Sequence, residues 1–600
     1  MPQVPAEMCL PPRELFEPRL GPGCVVYGVV EGGMAHLAVC PLPLGSGEAR
    51  RLADSPPIRP ARSLGGGSWC WSADREAVAY VSVDGDVWWQ STDGQPARRL
   101  TQWGPDRSLS GPVALADGRR LAVVVDLAEV WAIDIADGTA TRVDDASASF
   151  VIDPVAWPDD AGDGSVAWVA WSEPDMPWDR TAVVGVDGTA LAGSGAVQQP
   201  RIAADGAPWS IRDDTGWLNL WRDGRAFVDE PFEHAGPTWG PGQRSYALSP
   251  DGTAAVFARN EEGFGRLCVA TGDPNGGATT VREVAKAVHG QLDWLGSNVT
   301  AIRTGGRTPT QVVMYDTETW VRQTVAVGPD EAWLASPWRD ELVEPTLHEI
   351  PTGTGVVHAR LYSPAVATQR LIVWLHGGPT DQWQVTFMPR LAYWCSRGWS
   401  VLVPDHRGST GHGRRYQQAL RGQWGLLDVD DTVAAVRWAQ AEGLALPSAT
   451  VLMGGSAGGY TALGTIAAAP AECAAAAVAY PVTDLTDLPE RSHRFERHYT
   501  DTLVGPLPAS ADEYRRRSPA FNAERFVGHP LLVLHGDADP VVPVEQSRTF
   551  VERVRAAGGT AHLHVYEGEG HGFRQRANQL DEFRRVEEFL SALGADGDGT

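Results

Sequence analysis

Six hundred residues exceed what one hydrophobic core organises, so length alone predicts about two to four domains. Hydrophobic residues at 43% and charged residues at 21% exclude wholesale disorder, and 24 tryptophans add an unusual load of large apolar rings. A net charge of −25 gives a general affinity for nucleic acid or an anionic membrane no electrostatic support, and leaves a cationic peptide as a partner of the right sign.

The opening stretch, MPQVPAEMCLPPRELFEPRL, lacks the basic start and apolar run of a secretory signal, and no later apolar run approaches the ~20 residues of a membrane helix. The seven cysteines (Cys9, Cys24, Cys40, Cys70, Cys268, Cys395 and Cys473) are odd in number, scattered, and never in CxxC or Cys/His ligand spacing. The expectation is a protein of the reducing cytoplasm, without structural zinc and without a membrane partner.

From about residue 20 to about 330 the chain reads as short β-like runs separated by turn dipeptides. These are Asp84-Gly85, Asp93-Gly94, Asp117-Gly118, Asp137-Gly138, Asp187-Gly188, Asp223-Gly224 and Asp251-Gly252. Asp-Gly between apolar runs is a hairpin signal, and the flanking runs AVAYVSV (77–83), LAVVV (121–125) and VAWVAW (166–171) carry the Val and aromatic content of half-buried strands. Trp71-Ser-Ala-Asp, Ala116-Asp-Gly and Ser249-Pro-Asp-Gly each precede such a run, which reads as a degenerate repeat. A period of roughly 40–45 residues over this length predicts a β-propeller of about seven blades, with stacked β-sandwiches as the alternative.

After about residue 335 continuous apolar strands alternate with helical stretches: LIVWLHG (371–377), SVLVPD (400–405), ATVLMGG (449–455), AAAVAY (475–480) and LLVLHG (531–536). Strands apolar on both faces predict a doubly wound, mostly parallel sheet covered by helices, one of them DVDDTVAAVRWAQAE (428–442) with acidic residues in its first turn. The expected division is an N-terminal extension over 1–20, packed on the catalytic domain or disordered, a propeller over 21–334, and an α/β-hydrolase domain over 335–595.

Gly454-Gly455-Ser456-Ala457-Gly458 follows a strand and opens a small-residue helix, the context of a nucleophile elbow, so Ser456 is the candidate nucleophile. The general base of such a fold comes last in the chain, where His571 lies in the glycine-rich GEGHGF loop after the strand HLHVYE. His562 and His564, alternating along that strand, read as structural. The carboxylate that orients the imidazole belongs between serine and histidine, in LLVLHGDADPVVP; Asp539 is preferred, with Asp537 as a turn or capping residue. Two backbone donors are needed for an oxyanion. Ala457 supplies one, and the His376-Gly377-Gly378-Pro379 loop the other, at Gly378 in preference to Gly377.

On HGGP (376–379), DHRGSTGHGRRY (405–416), GQWGLLDVDD (422–431), GGSAGGYTAL (454–463), HGDADPVVP (535–543) and GEGHGF (568–573), the chain resembles the prolyl oligopeptidase family of serine peptidases, nearest its acylaminoacyl-peptidase and dipeptidyl-aminopeptidase-like branch. The stretches 171–179 and 214–221 echo the same branch in the propeller. The resemblance implies a Ser456, Asp539, His571 triad without metal or organic cofactor, a propeller that caps the site against folded proteins, and hydrolysis of short peptides or of free or acylated aminoacyl amides through an acyl-enzyme. Ala457 stands where dipeptidyl members often carry tyrosine.

The segment 480–488 resembles the stretch lining the side-chain pocket, which makes Val482, Leu485 and Leu488 candidate contacts, equally readable as core. Arg407 and Trp383 are further candidates, Arg407 more as a brace for the wall and Trp383 more as packing. A free amino terminus would need a carboxylate among Glu173, Asp179, Glu233, Glu490 and Glu496, and a free carboxyl terminus Arg407, Arg494 or Arg497. An esterase, or an amidase that removes an aminoacyl group from a metabolite or antibiotic, would use the same triad. Self-association into homo-oligomers stays open.

Overall fold

Between residues 13 and 327 the alternation of short apolar runs and polar turns produces seven four-stranded antiparallel sheets, each built from four consecutive strands, over 13–52, 69–99, 109–142, 150–192, 197–226, 246–286 and 288–327. The structure is a computed structural model and describes all residues except 1–2, 53–54, 62–63, 158–164, 187, 273–278, 329–332, 334–336 and 596–600. Asp187 of the expected Asp187-Gly188 turn and the expected 334/335 boundary lie outside the described residues. The chain forms two compact units: Pro11–Leu334 with Gln384–Phe387, and Met1–Leu10 with Ala335–Trp383 and Met388–Thr600.

The seven sheets are the blades of a propeller, and the repeat noted in the sequence is the turn between the first two strands of a blade. Ser72 and Ser249 play the same part. Each hydroxyl bonds the aspartate two residues on, at 2.5 Å, and accepts from the amide that starts the next strand, Ala77 at 3.0 Å and Ala254 at 2.9 Å. Among the described residues no strand is shared between the first and last blades; Leu15, Leu20 and Val25 pack instead against Ile302, Val312 and Met314.

In each blade a residue in or just before the first strand, at the propeller centre, adopts a positive φ: Glu17, Gly67, Gly111, Asp153, Gln199, Gly242 and Gln291. These residues converge. Gly66 N–H reaches Pro241 O at 3.1 Å, Gly242 N–H reaches Asp153 Oδ1 at 2.6 Å, and the Gln291 amide donates to Gly65 O at 3.0 Å and Gly242 O at 2.7 Å. Fully buried Glu17 accepts from the Gly67 and Ser68 amides and lies 3.6 Å from Arg19. Hydrogen bonds between blades that are not neighbours therefore cross the centre of the propeller at this level.

The expected extension over 1–20 is shorter in the structure. Arg13–Gly21 is the first strand of the first blade, because the Pro22-Gly23 turn, with φ 65° at Gly23, folds it back on Cys24–Glu31. Residues up to Leu10 belong to the other unit, where Val4 N–H donates to Ser396 Oγ at 3.0 Å and Arg576 donates to Leu10 O at 3.1 Å.

That unit is an eight-stranded sheet: β1 (Thr346–Thr352), β2 (Gly355–Tyr362), β3 (Leu371–Leu375), β4 (Ser400–Asp405), β5 (Thr450–Gly455), β6 (Ala475–Ala479), β7 (Leu531–Gly536) and β8 (Ala561–Tyr566). Its spatial order is β1-β2-β4-β3-β5-β6-β7-β8, antiparallel up to the β2/β4 pair and parallel from there on. The helices α1 (Pro389–Ser396), α2 (Leu427–Ala441), α3 (Ala457–Ala468), α4 (Val544–Ala556) and α5 (Arg576–Ala595) connect or follow these strands. The continuous apolar runs are explained by helices covering the sheet: Val373, Leu452, Val478 and Val533 from its central strands share one core with Val436 of α2, Ile466 of α3 and Phe550 of α4.

Candidate active site

The loops after β3, β5, β7 and β8 carry the candidate residues, at the carboxyl ends of parallel strands. Ser456 stands between the end of β5 and Ala457, the first residue of α3, with φ 56° and ψ −125°. That conformation is strained for a residue with a side chain, and it is held by the Ser456 amide bonding Ala479 O at 3.1 Å on β6. The turn needs glycine at 458, where a Cβ would lie 2.3 Å from Leu375 O. Small residues thus bring α3 against β3 and aim its amino-terminal N–H groups at the serine.

His571 Nδ1–H donates to Asp539 Oδ2 at 2.7 Å, leaving Nε2 as the basic nitrogen. Asp539 Oδ1 accepts from the Val541 and Val542 amides at 2.8 and 2.9 Å, so the carboxylate is fixed by its own loop. Burial acts to raise its pKa, but bonds from His535 and His571 outweigh this and hold the carboxyl well below the usual range, as an anion facing imidazole. Asp537 instead accepts from Gly568 N–H at 2.7 Å, a turn contact between the loops after β7 and β8. Buried Glu569 ties down the histidine loop by accepting from the Arg574 and Gln575 amides, each at 2.8 Å.

Gly378 has φ +120°, and a Cβ there would lie 2.7 Å from Thr380 N, so the loop after β3 can take this shape only with glycine. Behind it, burial pushes the His376 imidazole down to about 4, and His376 Nε2 bonds Ser409 Oγ at 2.7 Å. Deeper still, Asp405 at the end of β4 is clamped by both Arg360 terminal nitrogens at 2.6 and 2.7 Å, by Gln382 at 2.7 Å and by His412 at 2.8 Å.

A cavity is lined by Ser456, Ala457, Gly378, Pro379, Trp424, Val482, Leu488, Ser492, Glu496, Tyr499, Thr500, Val541 and Val542. Of the expected side-chain contacts, Val482 and Leu488 line it. Leu485 is wholly buried core, its amide held by Ser518 Oγ at 2.8 Å, and is not among the lining residues. Arg407 is a brace, paired with Asp431 and bonding Thr354 Oγ1 at 2.7 Å, and Trp383 packs edge-on against Trp374; neither lines the cavity.

Trp424, Tyr499, Val541 and Val542 were not singled out from sequence, although Trp424 and the two valines lie inside motifs quoted above. Asp428 was read as complementing a helix dipole. It is fully buried and bonds Thr461 Oγ1 at 2.6 Å, joining α2 to the helix that carries the serine.

The prolyl oligopeptidase family model matches residues 385–595. A dipeptidyl peptidase family member 6 of Caenorhabditis elegans is 31% identical over 266 residues, 43% of this chain and 35% of that protein. An acylamino-acid-releasing enzyme of Arabidopsis thaliana is 30% identical over 226 residues, 36% of this chain and 29% of that protein. The chain thus spans about a third of the length of the curated relatives it matches. A solved structure, a puromycin-hydrolysing peptidase of Mycobacterium tuberculosis, is similar over 99% of this chain and 96% of its own, with a TM-score of 0.87 and 28% identity. The family match covers the loops that carry the serine, aspartate and histidine, so residues 385–595 match a prolyl oligopeptidase family domain, and the propeller precedes it in the chain.

Proposed function

We propose that the protein is a serine peptidase acting on short peptides or aminoacyl amides through an acyl-enzyme, with Ser456, Asp539 and His571 as its triad. The observation that carries this reading is the His571–Asp539 pair at 2.7 Å together with a serine on a strained strand-to-helix turn that lines a cavity. Ser456 Oγ attacks the carbonyl carbon while His571 Nε2 takes its proton, and Asp539 stabilises the imidazolium. The Ala457 and Gly378 amides face the oxygen that gains charge. Collapse breaks the C–N bond as His571 returns the proton to the leaving amine, and a water deprotonated by His571 then releases the acyl group.

Unpaired thiols at all seven cysteines favour a reducing compartment, the cytoplasm, and no helix among the described residues is long and apolar enough to cross a membrane. Removal of an aminoacyl group from a small-molecule amide is the second reading, supported by the likeness over 99% of the chain to a protein named for hydrolysing puromycin.

The test is a matched set of free aminoacyl, dipeptidyl and acetyl-aminoacyl anilides beside short-chain p-nitrophenyl esters. Turnover of amides supports a peptidase, turnover of esters alone contradicts it, and peptides of increasing length read the size selection that the resemblance attaches to the propeller.

A further inference from the structure

Among the residues lining the cavity around Ser456, Glu496 is the one that carries a formal charge. It ends the short turn Arg494–Glu496, is half-buried, and among the described residues its carboxylate has no hydrogen-bond or ion-pair partner. Arg494 and Arg497, beside it in sequence, are exposed and do not line the cavity. Burial raises the Glu496 pKa above the ordinary value, with the His571 charge acting to lower it and Asp539 to raise it, so the carboxyl lies within electrostatic reach of the triad. A partly desolvated carboxylate without an ion-pair partner among the described residues, beside a nucleophile, is a site that favours a cation.

The position of that cation follows from substrate geometry. In an aminoacyl amide the α-nitrogen is two bonds from the carbonyl carbon that Ser456 attacks, roughly 2.5 Å away. An anchor for it must therefore lie in the cavity that holds the serine. In a dipeptidyl substrate the free amine lies a further residue away, about 3.3–3.6 Å along an extended chain, and an acylated substrate presents a neutral amide there.

Resting on the peptidase reading above, we propose that Glu496 binds the free α-ammonium group of the residue whose carbonyl is attacked, which makes the substrate class single aminoacyl amides. Val482, Leu488, Trp424 and Tyr499 then receive an apolar side chain. The shared chemistry is an ammonium ion, and a lysine side chain would be its other source.

The experiment compares leucyl-anilide with its des-amino analogue and with acetyl-leucyl-anilide, and adds acetyl-lysyl-anilide, for wild type and for Glu496→Gln and Glu496→Asp. Fluorophosphonate labelling of Ser456 is read in the same samples. Wild type should prefer the free amine by about 10- to 100-fold in kcat/KM, the contribution of a hydrogen bond to a charged group. Glu496→Gln should collapse that ratio, mostly through KM, and Glu496→Asp should restore part of it. A ratio that survives in Glu496→Gln overturns the assignment, as does a wild-type preference for acetyl-leucyl or acetyl-lysyl substrates, and in both cases the peptidase reading stands. Absence of both labelling and amide turnover in wild type would instead remove that reading.

Discussion

Replacing Asp405 by Asn tests whether the loops around the serine rest on a buried ion pair. Asp405 is fully buried and Arg360 is 1% exposed, so water cannot take over when the pair is broken. The carboxylate accepts both Arg360 terminal nitrogens, Gln382 Nε2 and a bond shared with His412, whereas an asparagine has one acceptor oxygen and turns an NH2 toward those donors. Leaving a guanidinium buried without its counter-charge costs about 3–5 kcal/mol. Burial alone would raise the Asp405 pKa, but Arg360 and His412 hold it well below the usual range. Its stabilisation is therefore complete above the unfolded value near 3.9 and is lost as pH falls below it, by about 1.4 kcal/mol per unit. Urea unfolding followed by tryptophan fluorescence, with labelling of Ser456 marking the transition of the unit that carries it, should show the Asn variant less stable by about 3–5 kcal/mol at pH 7. The gap should narrow between pH 4 and pH 3. A cost under about 1 kcal/mol, or a gap constant with pH, refutes the reasoning.

Gly378→Ala places a Cβ 2.7 Å from Thr380 N on a backbone at φ +120°, so the loop must shift. If Gly378 N–H faces the oxyanion, kcat should fall by about 10²–10³ with KM little changed, and a kcat within threefold of wild type assigns the donor elsewhere. Glu17→Ala leaves the Gly67 and Ser68 amides without their shared acceptor and Arg19 without its counter-charge at the propeller centre, and should lower propeller stability by about 3 kcal/mol or more. Limited proteolysis within 13–327 reads this, and unchanged protection would mean that the centre repacks.

Much of this fold is written in local pattern. Asp-Gly turns and β-branched runs carry no long-range information, yet they suffice for consecutive antiparallel strands, and a repeated Ser-x-Asp turn marks blades because the same side-chain bonds recur at Ser72 and Ser249. The extension was misjudged at residues 11–20 because Arg13–Gly21, with charges at Arg13, Glu14, Glu17 and Arg19, lacks the apolar look of a strand. Glu17 and Arg19 are buried because they face each other and because Glu17 accepts from backbone amides of the next blade, which the ring brings to it.

The loops that carry Ser456, Asp539 and His571 stand out in the sequence for a different reason: a strand-to-helix turn this tight needs glycines in fixed places, and Gly454 and Gly458 leave that mark. Asp537 and Asp539 could not be separated by spacing, and the bonds to Gly568 and His571 distinguish them. Nor could Leu485 be told from Val482 and Leu488, since a core residue and a pocket wall use the same side chains. Glu496 was one acid among five until the fold placed it beside Ser456.

The most direct test of the central claim is mass spectrometry of the intact protein after fluorophosphonate treatment, paired with aminoacyl-anilide turnover by wild type and Ser456→Ala. One covalent adduct mapped to Ser456, lost in the alanine variant together with turnover while its circular dichroism stays that of wild type, is the predicted result. An adduct on another residue, or turnover that persists in Ser456→Ala, would contradict the account.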